Sequence, residues 1–251
     1  MDKSINNGIL KPVKNRERSA ARFFAAFGII SLLAAAAALS ENNFLSGIWP
    51  IVFLGFFAGA ASLVTIIILN KRAKKMDRLL TGEKLLAGWE MTDDERQAFS
   101  DNLKVTSHSK NKVIMVVVTI FFVAITIPFL FFLERDEVGG FLLIMGTIYL
   151  IVLAFSRLMP YYYHYRNLRG DKKVLIGSKY AYINGYFHNW DFPLSGVRSL
   201  KNIKEPFRGI MLKYFYTDRT WTNEHALYIP VPDSINIEEL IGSIRKENPA
   251  V

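Results

Sequence analysis

Apolar positions follow two different rules along this chain. In Phe23–Leu39, Ile48–Leu69, Val113–Leu133 and Gly139–Ser156 they run for 17 to 22 residues without an Asp, Glu, Lys, Arg or His. About 20 helical residues at 1.5 Å rise cross a hydrocarbon core of about 30 Å. A helix apolar on all sides has no polar face to turn to water, so each window predicts a transmembrane span. The second rule begins at Lys172, where the period becomes that of strands. "VLIGSKYAYINGYFHNW" reads as two β-rich runs joined by Asn184-Gly185, a pair suited to a turn whose two central residues both need positive φ. That turn predicts Ile183 opposite Tyr186 and Tyr182 opposite Phe187. Further strands are expected at Gly196–Lys201, Ile210–Tyr216 and Ala226–Val231, with "DFPLS" and "TDRTWTNE" as loops. A helix closes the chain. Asn236 and Glu239 form a capping pair, Ile237, Leu240, Ile241 and Ile244 share a face, and Arg245 and Lys246 lie near the negative end of the helix dipole.

One short stretch between the second and third windows belongs to neither rule. "GEKLLAGWEMTDDE" holds a β-capable run, Lys84–Met91, followed by Thr92-x-x-Glu95, a capping box that predicts a short helix. Five strands and one helix make a small unit whose open sheet edge needs pairing or cover. Lys84–Met91 is therefore expected to pair with the later strands, making spans three and four a hairpin inserted into the domain. The alternative is an independent interfacial helix anchored by Trp89. The divisions that follow are 1–22, a basic N-terminus; 23–70, spans one and two; 71–112, a basic segment with the first strand and short helix; 113–159, spans three and four; and 165–251, the strand-rich domain.

Charge orients this arrangement. Six Lys or Arg precede the first span, ten lie between spans two and three and fourteen follow the fourth, whereas the two short connections hold none and one. The excess of cations marks the cytoplasmic side, so both termini and the long middle segment are expected there. The net charge of +9 then reads as topology and attraction to anionic headgroups, not as a nucleic-acid footprint. A basic leader followed by Ala34–Ala38 also fits a signal peptide, but the length of the basic segment favours a retained span. With no cysteine there is no disulfide framework and no thiolate metal site.

The spans lack the ionisable groups that mark ion or proton paths. Their hydroxyls, among them Ser31, Ser62, Thr65, Thr119, Thr126 and Thr147, can bond to their own helices or across helices. Gly55 and Gly59 in "GFFAG" predict close packing against the alanine face of span one. Pro50 suits a first helical turn, and Pro128 predicts a kink in span three. Trp49 and "YYYHYR" suit headgroup depth. In "NKRAKKMDR", Lys71, Arg72, Lys74, Lys75 and Arg78 form a juxtamembrane basic cluster, the candidate lipid-headgroup site.

Taken in order, "GEKLLAGW", a transmembrane hairpin, "KYAYINGYF", the strand entry "LSGV", paired strands ending "LYIPV" and a terminal amphipathic helix resemble bacterial pleckstrin-homology-like (PH-like) membrane proteins over residues 82–251. The resemblance implies a curved antiparallel sheet whose first strand precedes two spans and which a C-terminal helix closes. Two extra N-terminal spans and the capped segment between Thr92 and Lys112 depart from the simplest members. The fold class expected is a membrane α-helical bundle of four transmembrane helices plus a small cytoplasmic β-rich PH-like domain, in the bacterial inner membrane. Such a fold hosts lipid binding, peptide binding and self-assembly.

Catalytic patterns are sparse. His108, His164, His188 and His225 include no pair at i, i+4, and HExxH, GxGxxG, GxSxG and a phosphate-binding loop are absent. Ser107-His108-Ser109 are neighbours that seldom meet as nucleophile and base, and the carboxylates of "TDDE" complement a helix dipole. The expected function is a non-enzymatic scaffold or accessory, without cofactor or metal. Its expected partners are anionic inner-leaflet lipids and an unknown protein, the latter meeting Tyr186, His188 and Trp190. Open edges and small-residue faces also invite a homo-oligomer. A small transporter or channel subunit, using the span hydroxyls and Tyr149, is the alternative. A lipid-modifying enzyme would need Glu134, Arg135, Asp136, Glu137 or His164 at the headgroup plane.

Overall fold

The computed structural model describes residues 13–41, 44–218 and 221–248. The basic N-terminus up to residue 12 and residues 42–43 of the first short connection lie outside them. Four helices are long and apolar enough to cross a membrane: α1 (Arg16–Leu39), α2 (Trp49–Leu80), α3 (Asp93–Leu130) and α4 (Arg135–Leu168).

α1 and α2 pack as a close pair. A Cβ added at Gly55 would lie 2.6 Å from the Ser31 carbonyl oxygen, one at Gly59 2.6 Å from Leu32 Cδ2, and one at Gly28 2.8 Å from Ser62 Cβ. Glycine is thus the residue that lets these backbones meet, against α1 as expected. Below the membrane-spanning part, Asn15 donates to the Ala73 carbonyl at 2.9 Å and to Asp77 at 2.7 Å. Arg72 forks onto Glu17 with two bonds of 2.8 Å.

β1 (Leu85–Glu90) follows α2, and the capping box of Thr92 and Glu95 then starts α3. The helix expected there to be short is instead continuous with span three, because no Gly or Pro interrupts residues 93–127. Pro128 falls in the last turn, where a ring that blocks a backbone bond ends a helix more readily than it bends one.

After α4 come β2 (Lys173–Gly177), β3 (Tyr180–Ile183), β4 (Tyr186–Asn189), β5 (Ser195–Ile203), β6 (Gly209–Asp218), β7 (Trp221–Pro230) and α5 (Ile237–Glu247). They form two antiparallel sheets, β1-β2-β3-β4 and β5-β6-β7. β1 pairs with β2 across the inserted hairpin, Trp89 opposite Val174 and Glu90 opposite Lys173. The Asn184-Gly185 turn has φ of 50° and 95°, and places Ile183 opposite Tyr186 and Tyr182 opposite Phe187 as its residues require. "VLIGSKYAYI", read as one run, is two strands turned at Ser178-Lys179. The "TDRTWTNE" loop shrinks, since β6 and β7 pair as far as Asp218 and Trp221; its residues 219–220 lie outside those described.

The two sheets and α5 share one core. Trp89, Met91 and Phe99 meet Val174, Ile176 and Ile183 of the first sheet, Ile210, Leu212 and Ile229 of the second, and Ile237, Leu240, Ile241 and Ile244 of α5. The other face of the first sheet, with Leu175, Tyr180, Tyr182 and Phe187, packs on Met76 and Leu79 of α2. β2 is therefore buried on both sides, which is why its five residues read as an unbroken apolar run instead of alternating.

The expected single bundle is corrected. α1 packs on α2 and α3 on α4, but among the described residues no substantial packing joins one pair to the other. The small residues that bring helices into close approach here are Gly28, Gly55 and Gly59 on the α1–α2 seam, whereas Gly139, Gly140 and Gly146 of α4 have nothing within 4 Å of an added Cβ.

Candidate functional site

The basic segment at the foot of α2 divides into two sets of side chains. Arg72 and Lys75 are spent within the molecule. Besides binding Glu17, Arg72 donates to the Phe187 carbonyl at 3.0 Å and lies over the Phe187 ring. Lys75 pairs with Asp191 at 2.9 Å and stands 5.0 Å from the Phe192 ring centroid. Burial acts to raise the Asp191 carboxyl, but the Lys75 hydrogen bond and charge, with Lys179, hold it below its ordinary value. These contacts fasten the β4 strand and its following loop to α2. Arg78 lies 3.9 Å from Glu83, with both side chains exposed.

Lys71 and Lys74 are exposed. Lys74 joins Arg22, Arg18 and Asn70 around a cleft of about 420 Å³ between α1 and α2. Arg22 directly precedes Phe23 and Asn70 directly follows Leu69, so this cleft lies at the ends of the two uncharged windows. Arg18 is held by Asp77. Arg22, absent from the cluster read in the sequence, was hidden because it lies on a different helix from the run of cations.

The aromatic residues of "YFHNW" do not form one exposed surface. Trp190 is 2% exposed and packs against Tyr214, so its place as a partner contact is corrected: the residue alternates inward and serves the core. Tyr186 and His188 are partly buried and help line a cavity of about 160 Å³. Phe99 and Leu103 of α3, Pro160 and His164 of α4 and Leu227 of β7 are among its other walls. The Tyr186 hydroxyl is buried without a hydrogen-bond partner among the described residues, and Arg166 lies over its ring. Asn184 ties the same hairpin to α4, donating to the Asn167 carbonyl at 2.7 Å and accepting from the Lys172 N–H.

Burial, helped by the nearby charges of His225 and Arg72, pushes the His188 imidazole down to about 3. Above the ordinary value of 6.5 the ring is neutral whether the chain is folded or not. Below it, the unfolded chain takes a proton that the folded domain refuses, so stability falls as pH drops from about 6.5 toward 3. Thermal melts at pH 7 and pH 4.5 are expected to separate clearly for the native chain and to converge for His188→Gln. Asp191 and Asp93, whose carboxyls are also lowered, add acid sensitivity only below their ordinary value of 3.8.

Comparison of this chain with protein-family models, with curated proteins and with solved structures finds no match.

Proposed function

We propose that this is a non-enzymatic integral membrane scaffold of the bacterial inner membrane, with both termini cytoplasmic, which holds a PH-like domain against the inner leaflet. The observation that carries the reading is the fastening of the first sheet to α2 by Arg72, Lys75, Met76 and Leu79. A domain tied along the helix that emerges from the membrane keeps a fixed depth and orientation, as a presenting platform requires. Lys71, Lys74 and Arg22, at the membrane boundary, contact anionic headgroups at roughly 1 kcal/mol each. A protein partner would meet the exposed edge of the second sheet or the loops around it. The lack of ionisable side chains inside the spans weighs against a transport path, and the scattered titratable groups weigh against an enzyme.

Hydrogen exchange on the full-length protein in phosphatidylcholine nanodiscs, with and without phosphatidylglycerol, tests this. Residues 187–194 are expected to exchange slowly, and about tenfold faster in Arg72→Gln/Lys75→Gln, the change given by ~1.4 kcal/mol of lost local protection. Phosphatidylglycerol is expected to slow exchange over residues 70–75 in the native chain but not in Lys71→Gln/Lys74→Gln. Fast exchange at 187–194 in the native chain would refute the fastened platform. Indifference to phosphatidylglycerol would refute the headgroup contact.

A further inference from the structure

The lipid-facing side of the α3–α4 pair carries a groove that the platform does not use. Two hollows of about 420 and 430 Å³ lie along it, and both are walled by Thr119 and Tyr149. The hydroxyls of these two residues lie 2.9 Å apart, and Thr119 also donates to the Met115 carbonyl. Asn111 bridges the helices below by donating to the Ser156 carbonyl at 2.9 Å. The hollows are thus one continuous groove whose bridging polar groups satisfy one another.

Its two ends differ in chemistry. The end nearer the sheet domain carries Lys112, Arg157 and His108, the first two flanking spans three and four at Val113 and Ser156. Unlike Arg72 and Lys75, neither Lys112 nor Arg157 forms an ion pair among the described residues. The other end is apolar, walled by Phe122, Val123, Leu142 and Met145, with Gly146 leaving open space where a Cβ would stand. From His108 to Ile127 the groove runs about 28 Å at 1.5 Å per residue. One leaflet offers about 15 Å of hydrocarbon and about 6 Å of headgroup, so the groove is long enough to take a headgroup and an acyl chain together.

We infer that this groove binds one anionic phospholipid, its phosphate between Lys112 and Arg157 and an acyl chain along Val116, Val123 and Gly146. A soluble anion would use only the charged mouth, and an apolar helix of a second chain would leave both cations unanswered. The charge complementarity and the amphipathic length together select a lipid. The site is separate from the α1–α2 cleft and does not rest on the platform reading.

Native mass spectrometry of the full-length protein, released from detergent containing equal phosphatidylglycerol and phosphatidylcholine of the same acyl chains, tests the inference. In a Lys71→Gln/Lys74→Gln background, which silences the α1–α2 surface and serves as the parent for every variant here, one phosphatidylglycerol per chain is expected to be retained with about tenfold preference. Lys112→Gln/Arg157→Gln is expected to erase that preference, whereas Lys112→Arg/Arg157→Lys keeps it. Gly146→Phe, which fills open space and leaves both charges, is expected to reduce retention. Soluble glycerol phosphate in excess is expected not to displace the lipid. Equal retention of the two lipids by that parent would overturn the site. So would a preference that survives Lys112→Gln/Arg157→Gln, displacement by glycerol phosphate, or retention indifferent to Gly146→Phe, the sign of annular lipid alone.

Discussion

Trp89→Ala is expected to destabilise the sheet domain by about 3–5 kcal/mol, the usual effect of removing a large buried aromatic side chain. Trp89 is 5% exposed and stands where both sheets and α5 converge. Its indole N–H donates to the Pro230 carbonyl at 3.0 Å, joining the first strand of one sheet to the last strand of the other. The midpoint of thermal unfolding is expected to fall by roughly 6–20 °C, at 2–4 °C per kcal/mol for a chain of this size. Trp89→Phe keeps most of the apolar volume, and its loss is expected to be nearer the 1 kcal/mol of one hydrogen bond. Circular dichroism in mild detergent measures both. An alanine variant melting within a degree or two of the native chain would mean that β1 is an ornament to the domain, not a member of it.

The second large effect is expected at Gly55. A valine there would set a Cβ 2.6 Å from the Ser31 carbonyl oxygen and 2.8 Å from the Ala35 methyl, neither of which can swing aside. α1 and α2 must then separate, at a cost of about 1–3 kcal/mol or more. Gly146→Val is the control, since nothing lies within 4 Å of its added Cβ. Thermal unfolding and the rate of proteolysis in the connection between α1 and α2 are expected to change in the first variant and not in the second.

Where local chemistry dictates geometry, the sequence was readable. Asn184-Gly185 specified its turn and hence the register of four residues, Thr92 and Glu95 specified a helix start, and Gly55 with Gly59 specified the helix they approach. That β1 joins the later strands was also legible, because a short apolar run ending in Trp89 had no other sheet to join; that its neighbour is β2 came from the structure. What escaped depended on contacts between distant parts. β2 and β3 merged into one run because α2 covers the first sheet with Met76 and Leu79 and erases the alternation of β2. Trp190 was placed on a surface because nothing local tells which face of β4 turns toward Tyr214. Two of the five residues of the basic cluster proved to be fasteners, and this was hidden because the partners of Arg72 and Lys75 lie more than fifty residues away in sequence. The groove between α3 and α4 was invisible for the same reason: Lys112 and Arg157 meet only when the two helices pack.

The insertion of α3 and α4 between β1 and β2 also sets an order on biosynthesis. Glu90 leaves the ribosome well before Lys173, its partner. At about 5–20 residues per second the wait is on the order of 4 to 17 seconds. During it β1 is an unpaired edge beside a growing chain, and both later helices must enter the bilayer before closure. Translocation of the second helical pair thereby gates the maturation of everything beneath it, and a pause or failure at that step leaves Trp89 as bait for chaperones and proteases.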